Sequence, residues 1–351
     1  MKKLLMGLFV LVASLVLVAC NKTEEPKEET PAVVEAEYKL GMGVVAGAGH
    51  VSTANTIQID STVAAVVTDK DGKIVACRVD ALQNKATLAD GALTSSNTTS
   101  KAELKEAYNM AKYGTSLVGN EKVLEWYLQA QAFEAFVVGK TVAEVAAMEM
   151  QTMSNGYVIS ADETLLAAGC TMQVNEFIAA LVKAGADEQG TTFKTAEAFT
   201  LGVAINGEFN SKSTAEVAHL YSEYAAVVLV DGKIVATLND AIQPSVVVNE
   251  DGTMGEFTYK GTKRELKEGY NMAAYGTSLV GNEKVVEWYL QSAEFSKYVV
   301  GKTSAEVAAL ATQTMSNGYV ISADEALLAT GCTMQITGMQ AVVVDAIANA
   351  R

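Results

Sequence analysis

Runs of mainly apolar residues predict a β-hairpin in the first part of the chain. Residues 63–68 and 74–80 are rich in valine, isoleucine and alanine, and the Asp71-Gly72 pair between them is a strong hairpin signal. The same pattern returns at residues 225–230 and 234–240, joined by Asp231-Gly232. The chain therefore predicts the same hairpin twice.

Helix signals follow each hairpin in the same order. A serine or threonine with glutamate three residues later forms a capping box, in which the two side chains bond amides that the helix leaves unbonded. Four such boxes predict helix N-termini, at Ser100/Glu103, Thr141/Glu144, Thr262/Glu265 and Thr303/Glu306. A longer helix is predicted from about residue 120 to residue 138, with an apolar stripe of Val123, Tyr127, Ala130, Phe133 and Val137.

The closing segment of each copy predicts a short strand and a last helix. Residues 169–174 favour a strand that leads into a helix over residues 176–184, with Asn175 as the predicted N-cap. Thr337 holds the N-cap position in the second copy.

Two segments of the chain are nearly verbatim copies of two others. Residues 151–174 and 313–336 are identical at 21 of 24 positions, and residues 112–129 and 274–291 at 16 of 18, both at an offset of 162. A repeat of this length indicates a duplicated domain rather than a solenoid unit of roughly 20–50 residues. The predicted fold class is α+β, with two tandem copies of one domain, each a mostly antiparallel sheet with packed helices. The predicted boundaries are 38–187 for the first copy, 188–198 for a linker and 199–351 for the second copy.

Residues 1–20 resemble a bacterial lipoprotein signal peptide. Lys2 and Lys3 precede an apolar run over residues 4–18, which is too short to favour a spanning helix of about 20 residues. The run ends in Leu-Val-Ala-Cys, which resembles a lipobox with Cys20 as the lipidated residue. Residues 21–37 are rich in glutamate, lysine and proline, as a solvated tether is. We therefore predict an extracytoplasmic protein, lipid-anchored to a bacterial membrane.

Charge and histidine content narrow the class of protein. Removing Lys2 and Lys3 with the leader leaves 24 basic against 41 acidic residues, a net charge of −17 that disfavours nucleic acid as a partner. His50 and His219 do not occupy matching positions in the two copies, so neither a shared Ser-His-Asp triad nor a shared histidine-ligated metal site is predicted. Gly41-x-Gly43 resembles part of a dinucleotide fingerprint, but the second copy keeps only Gly202. A stand-alone enzyme is thus the least expected class.

The candidate site consists of small polar and aromatic residues that both copies keep. These residues are Gly169, Cys170, Thr171, Tyr113 and Trp126 in the first copy, and Gly331, Cys332, Thr333, Tyr275 and Trp288 in the second. A glycine before a threonine allows close approach of a ligand, and a helix start offers amides to a phosphate. The two cysteines could be exposed thiols or small buried hydrophobes, and Cys77 could form a disulfide with Cys170. Packing alone is the alternative explanation for the whole set.

The order of hairpin, helices and Gly-x-Thr before a closing helix resembles the FMN-binding domain of bacterial extracytoplasmic redox proteins. That family includes flavin-carrying subunits of ion-pumping quinone reductases and lipoproteins of extracellular electron transfer. Its signature is a Ser/Thr-Gly-Ala-Ser/Thr tetrad, whose last hydroxyl a separate transferase esterifies to FMN. Residues 330–333 match three of the four places, and residues 168–171 match two.

The resemblance implies a membrane-anchored electron-transfer flavoprotein with one FMN per repeat. The flavin would be esterified to Thr171 and Thr333, with Tyr113, Trp126, Tyr275 and Trp288 flanking its ring. A flavin transferase and redox proteins would be its partners. The alternative function is a non-redox ligand-binding or structural lipoprotein with the same fold.

Overall fold

The computed structural model describes residues 35–51, 53–113, 123–154, 156–275, 285–316 and 318–351. Cys20 and the side chains of Tyr113 and Tyr275 lie outside the described residues, so the predictions made for them stay predictions. Glu35–Arg351 forms one compact unit. Among the helices of the described residues, none is long and apolar enough to span a membrane.

The first half (residues 35–195) begins with four strands: β1 (Ala36–Ala48), β2 (Thr56–Asp69), β3 (Ile74–Ala89) and β4 (Ala92–Asn97). Helical segments follow, namely α1 (Lys101–Leu104), 3-10 turns at Lys105–Tyr108 and Met110–Tyr113, α2 (Trp126–Val137) and α3 (Val142–Ala146). The half ends with β5 (Met150–Thr152), β6 (Val158–Ser160), α4 (Glu163–Ala167), α5 (Asn175–Gly185) and β7 (Thr191–Thr195).

The second half (residues 199–351) follows nearly the same order. Its strands are β8 (Thr200–Phe209), β9 (Val217–Val230), β10 (Lys233–Ile242), β11 (Ser245–Val248) and β12 (Met254–Thr258). Then come α6 (Lys263–Leu266), 3-10 turns at Lys267–Tyr270 and Met272–Tyr275, α7 (Trp288–Val299) and α8 (Ser304–Ala308). The half closes with β13 (Thr312–Thr314), β14 (Val320–Ser322), α9 (Glu325–Ala329) and α10 (Thr337–Ala348).

Each half contributes one large antiparallel sheet. The first sheet has the order β4-β3-β2-β1-β7, and in the second β9 pairs with β8, β10 and β11, while β12 pairs with β11. The long strand β3 has no single counterpart, because β10 and β11 are separated at Gln243-Pro244. Proline has no amide hydrogen to donate to a neighbouring strand, which accounts for the break at that point.

The two sheets pack face to face, and helices cover the outer face of each. Side chains alternate along a strand, so Val63 and Val67 of β2 enter a core shared with β8, β9 and β10. Ala64 and Val66, on the opposite face of β2, pack in a separate core with α2 and α5. The second half has the matching arrangement with α7 and α10. The order of layers is therefore helix, sheet, sheet, helix.

The α+β class and the mostly antiparallel sheets that the sequence predicts are confirmed. Both Asp-Gly hairpins form, and each of the four predicted capping boxes has both of its hydrogen bonds. The stretch predicted as a linker instead contains β7, which pairs with β1 and extends the first sheet.

The prediction for the closing segment is wrong in two respects. Residues 169–174 form no strand, because their chain folds against α2 and finds no neighbouring strand. Asn175 and Thr337 are the first residues inside α5 and α10, and the N-caps Val174 and Ile336 have no capping side chain.

Three ion pairs join α5 and the turn after it to the start of the second half's helices. Lys183 pairs with Glu265 at 2.8 Å, Arg264 with Asp187 at 3.1 Å and Lys267 with Glu188 at 3.2 Å. The side chains of Arg264 and Asp187 are only 7% and 9% exposed, whereas those of Lys267 and Glu188 are 42% and 83% exposed. The pairs differ more in burial than in distance. We therefore expect the buried Arg264–Asp187 pair to contribute more to the free energy of unfolding than the exposed Lys267–Glu188 pair.

Replacing Asp187 with alanine should destabilise the fold strongly, because it leaves the Arg264 guanidinium buried without its carboxylate. Such a loss costs about 3–5 kcal/mol. The adjacent change Glu188→Ala is the matched control and should cost under about 1 kcal/mol, since exposed pairs contribute little. Urea unfolding of both variants measures the difference. Equal losses would contradict the importance of the buried pair.

Candidate functional site

The Gly-Cys-Thr segment of the first half turns away from a short capped helix. Asp162 accepts hydrogen bonds from the amides of Thr164 (2.9 Å) and Leu165 (3.2 Å) and so caps α4. Gly169 follows with φ +90°, and a Cβ there would lie 2.4 Å from Leu124 Cδ1. Glycine is therefore required both by backbone conformation and by the close approach of Leu124.

A buried glutamine fixes this segment to the helix beside it. Gln129 of α2 accepts a hydrogen bond from the Thr171 amide (2.9 Å) and donates one to the Leu124 carbonyl (2.8 Å). In the second half Gln291 accepts from the amides of Thr333 and Met334, each at 2.9 Å. Gly331 turns there with φ +92°. Both halves therefore have the same turn, and in both a glutamine side chain holds it.

The cysteines beside these glycines are interior residues. Cys170 and Cys332 are both fully buried, and each belongs to the core between the sheet and helices of its own half. Burial raises the pKa of each thiol to about 12, so the reactive thiolate is absent near neutral pH. Cys77 is likewise buried, and it forms no disulfide with Cys170. Of the two interpretations of Cys170 and Cys332, the structure favours the small buried hydrophobe.

The threonines and tryptophans of the predicted site are also buried. Thr171 and Thr333 are each 4% exposed, and Trp126 and Trp288 are 4% and 3% exposed. Trp126 packs edge-on against Phe177, with ring centroids 5.5 Å apart. Trp126 shares a core with Cys170, and Trp288 shares the corresponding core with Cys332, so these described residues of the predicted site lie together inside each half.

A lysine that directly follows the capping residue Thr262 lies beside this core. Lys263, the first residue of α6, is 4% exposed. Its ammonium lies 4.6 Å from the ring centroid of Tyr221, 4.8 Å from that of Tyr270 and 5.1 Å from that of Trp288. All three distances are within the range of cation–π attraction.

The first half places Lys101 in the equivalent position. Its ammonium lies 5.2 Å from the ring centroid of Tyr108 and 5.6 Å from that of Trp126. Asp60 provides a carboxylate near Lys101 in place of the third ring. The signal that could have identified this site is that both copies keep the lysine, the tyrosine and the tryptophan at the same offset of 162.

Buried carboxylates accompany each lysine. Asp80 and Asp240 accept hydrogen bonds from the amides of Ala102 (3.0 Å) and Arg264 (3.1 Å), next to the respective lysines. Burial raises the pKa of Asp80 to about 7 and that of Asp240 to about 6. The same effect acts in the opposite direction on the amine and lowers the pKa of Lys263 to about 7.

In the second half, burial thus moves the pKa values of Lys263 and Asp240 toward each other, to about 7 and about 6. Glu223 adds a second carboxylate near Lys263, and burial raises its pKa as well. Within the part of the chain that the structure describes, no group of three or more histidine, cysteine, aspartate or glutamate side chains is arranged to bind a metal ion.

The described residues do not fit a flavin esterified to Thr171 or Thr333. Esterification by a transferase requires an accessible hydroxyl, and both threonines are 4% exposed. The tryptophan rings expected to flank the flavin are instead buried, with a lysine ammonium near each of them.

Comparison with known proteins adds no family to these observations. No family model matches the chain, and no curated protein or solved structure matches it.

The burial of the cysteines predicts very slow reaction with a thiol reagent in the folded protein. In a Cys20→Ala variant the remaining thiols are Cys77, Cys170 and Cys332, all buried. At pH 8 we expect labelling to be at least about 100-fold slower than in urea, because the folded thiols are both inaccessible and protonated. Absorbance of the released chromophore measures the rate. One thiol that reacts at the unfolded rate would show that a cysteine is available for chemistry.

Proposed function

We propose that the chain is an extracytoplasmic, lipid-anchored binding protein without a redox centre of its own. In this proposal it consists of two tandem copies of one α+β domain. Each copy binds a ligand at the end where the lysine, the tryptophan and the Gly-Cys-Thr segment meet. The single observation that carries the proposal is the lysine over aromatic rings, Lys101 with Trp126 and Lys263 with Trp288.

The proposed duplication is supported by agreement at three levels. The sequence repeats at a constant offset, the elements of the two halves follow nearly the same order, and equivalent side chains form equivalent hydrogen bonds. Gln129 and Gln291 are one such pair, and the capping aspartates Asp162 and Asp324 are another. Chance similarity does not account for agreement at this level of detail.

A binding site at this end is supported by the energetic cost of the cluster. Desolvating an ammonium group is unfavourable unless nearby charges or rings compensate. Packing alone would be satisfied by an apolar side chain at residues 101 and 263, yet both copies keep lysine. Costly polar groups that recur in a core are typical of sites that serve a function.

A flavin carrier is the second candidate function, because it is what the family resemblance implies. One observation favours it: α5 and α10 begin just after Thr171 and Thr333 without a capping side chain. Amides in the first turn of such a helix can bind a phosphate group. The buried threonine hydroxyls count against a covalent linkage.

One preparation tests the two functions together. The full-length protein is co-expressed with a flavin transferase, extracted gently from membranes and examined by native mass spectrometry and by fluorescence of a denaturing gel. We expect a colourless protein that carries a small molecule other than flavin.

The control variants make the result specific. A fluorescent band that disappears from the Thr171→Ala/Thr333→Ala variant, but persists in the Thr152→Ala/Thr314→Ala variant with exposed threonines changed, would establish the flavin carrier instead. A protein with the mass of the lipidated chain alone and no bound molecule would contradict both binding functions and leave a structural role.

The proposed anchoring depends on Cys20. Wild-type protein should stay in the membrane fraction, because two or more acyl chains hold a protein on a bilayer for long times. Cys20→Ala should give an unprocessed precursor or a released protein, and its far-ultraviolet circular dichroism should match that of wild type. Incorporation of a labelled fatty acid measures lipidation. Equal incorporation by both proteins would exclude Cys20 as the anchor.

A further inference from the structure

Two positions near Lys101 and Lys263 hold different residues in the two halves. Thr62 of β2 pairs across the sheet with Ala81, which follows the buried Asp80. Glu223 of β9 pairs in the same way with Ala241, which follows Asp240. Thr62 and Glu223 therefore occupy equivalent places. Glu176 and Gly338 are also equivalent, since each is the second residue of its helix, α5 or α10.

In the first half the carboxylate near the lysine comes from helix α5. Glu176 accepts a hydrogen bond from the Thr62 hydroxyl at 3.0 Å, so the strand residue is short and the helix residue is long. The Glu176 carboxylate is one of the negative charges that raise the pKa of Lys101 against the opposing effect of burial.

In the second half the strand supplies the carboxylate. A Cβ built at Gly338 would lie 1.6 Å from Oε2 of Glu223, so Glu223 fills the space that a helix side chain would take. Gly338 does not have a positive φ, so its backbone conformation does not require glycine. Glycine within a helix costs about 1 kcal/mol relative to alanine. The reason for glycine here is the space that Glu223 occupies.

In both arrangements a carboxylate charge raises the pKa of the lysine against burial, although Asp60 rather than Glu176 has the largest charge effect on Lys101. The Glu223 carboxylate is the largest of the charge effects that raise the pKa of Lys263, and Asp240 adds to it, while Lys212 acts against them. The corresponding groups around Lys101 are Asp60, Glu176 and Asp80, with Lys85 acting against them. A carboxylate has thus been retained next to each lysine although its position in the sequence differs.

We propose that Glu176 and Glu223 have the same role in the two halves, although Glu176 lies on helix α5 and Glu223 on strand β9. In the second half the connection runs through Tyr221, whose hydroxyl donates a hydrogen bond to Glu223 (3.2 Å) and accepts one from the Lys263 ammonium (3.4 Å). In each half this carboxylate is a positioning residue whose charge favours the lysine ammonium beside its aromatic rings. The lysine, the carboxylate and the rings then form a single site that both halves require. This inference rests on the geometry and does not depend on the identity of any ligand.

An exchange of the two residues tests the proposal in the second half. Glu223→Thr should lower the Tm by at least about 2 °C and lower the pKa of the Lys263 amine by about 1 unit or more, because it removes the carboxylate with the largest effect on that pKa. Gly338→Glu should also lower the Tm, since two carboxylates then compete for one space. The double variant Glu223→Thr/Gly338→Glu reproduces the first half and should recover most of both losses.

The measurements separate a charge effect from a packing effect. Tm is measured by differential scanning calorimetry, and the amine pKa by the 13C shift of the labelled lysine Cε, assigned by its loss in Lys263→Met. A residue that only fills space would change the Tm and leave the amine pKa unchanged. If Glu223→Thr fails to fold, Glu223→Gln removes the charge and keeps the shape.

The first half provides a matched second experiment. Thr62→Glu and Glu176→Gly should each lower the Tm, and the double variant Thr62→Glu/Glu176→Gly should recover it. Additive losses in both halves, or a lysine pKa that does not respond to removal of the carboxylate, would overturn the proposal. Neither result bears on ligand binding, so failure here is distinguishable from failure of the proposed function.

Discussion

Burial of the central strands on both faces is the constraint on which the rest of the fold depends. Residues 64–67 and 225–228 have the same sequence, Ala-Ala-Val-Val, and all eight are buried, alternating between the shared core and the core of their own half. Small side chains on the helix-facing side bring the helices close to the sheets. A Cβ at Gly41 would lie 2.0 Å from the Ala184 carbonyl oxygen, and one at Gly202 would lie 1.9 Å from that of Ala346. These glycines thus have a packing role, which explains why no dinucleotide fingerprint surrounds them.

Close packing on every face leaves few places for polar groups, and this gives the lysine clusters their significance. Each lysine is the first residue of a one-turn helix whose N-cap and aspartate bonds fix the chain, so the ammonium enters the core from a rigid point. The surrounding rings offer attraction without a formal charge, and the carboxylates offset part of the desolvation cost, which still lowers the pKa of both lysines. A lysine held this firmly suits a binding site whose geometry must stay the same with and without its ligand.

The sequence predicted the features that depend on neighbouring residues. Asp-Gly turns and capping boxes involve contacts within four residues, and these formed in both halves. Prediction from the sequence was wrong where a residue far away in the sequence decides the local structure. Asn175 has the chemistry of an N-cap, but the preceding chain is already bonded to Gln129, over 40 residues away, and the helix begins one residue earlier. Lys101 follows a capping serine and so indicates an exposed helix start, and only the tertiary placement of Tyr108 and Trp126 makes it a half-buried residue beside the core.

The same architecture accounts for the uneven similarity between the two halves. The strands form the core in which the two halves face each other. Two identical surfaces need not be complementary, so the facing strands of the two halves can be expected to differ in sequence. Asn84 donates a hydrogen bond to the Gly207 carbonyl of the other half, whereas the position matching Asn84 is Pro244, which has no side-chain donor. The helical ends instead pack in cores that belong to one half each. Ion pairs of α5 and the turn after it with Arg264, Glu265 and Lys267 join the halves at these ends, but each lysine, its rings and the glutamine-held turn lie within one half. Their near identity follows from the internal requirements of each site.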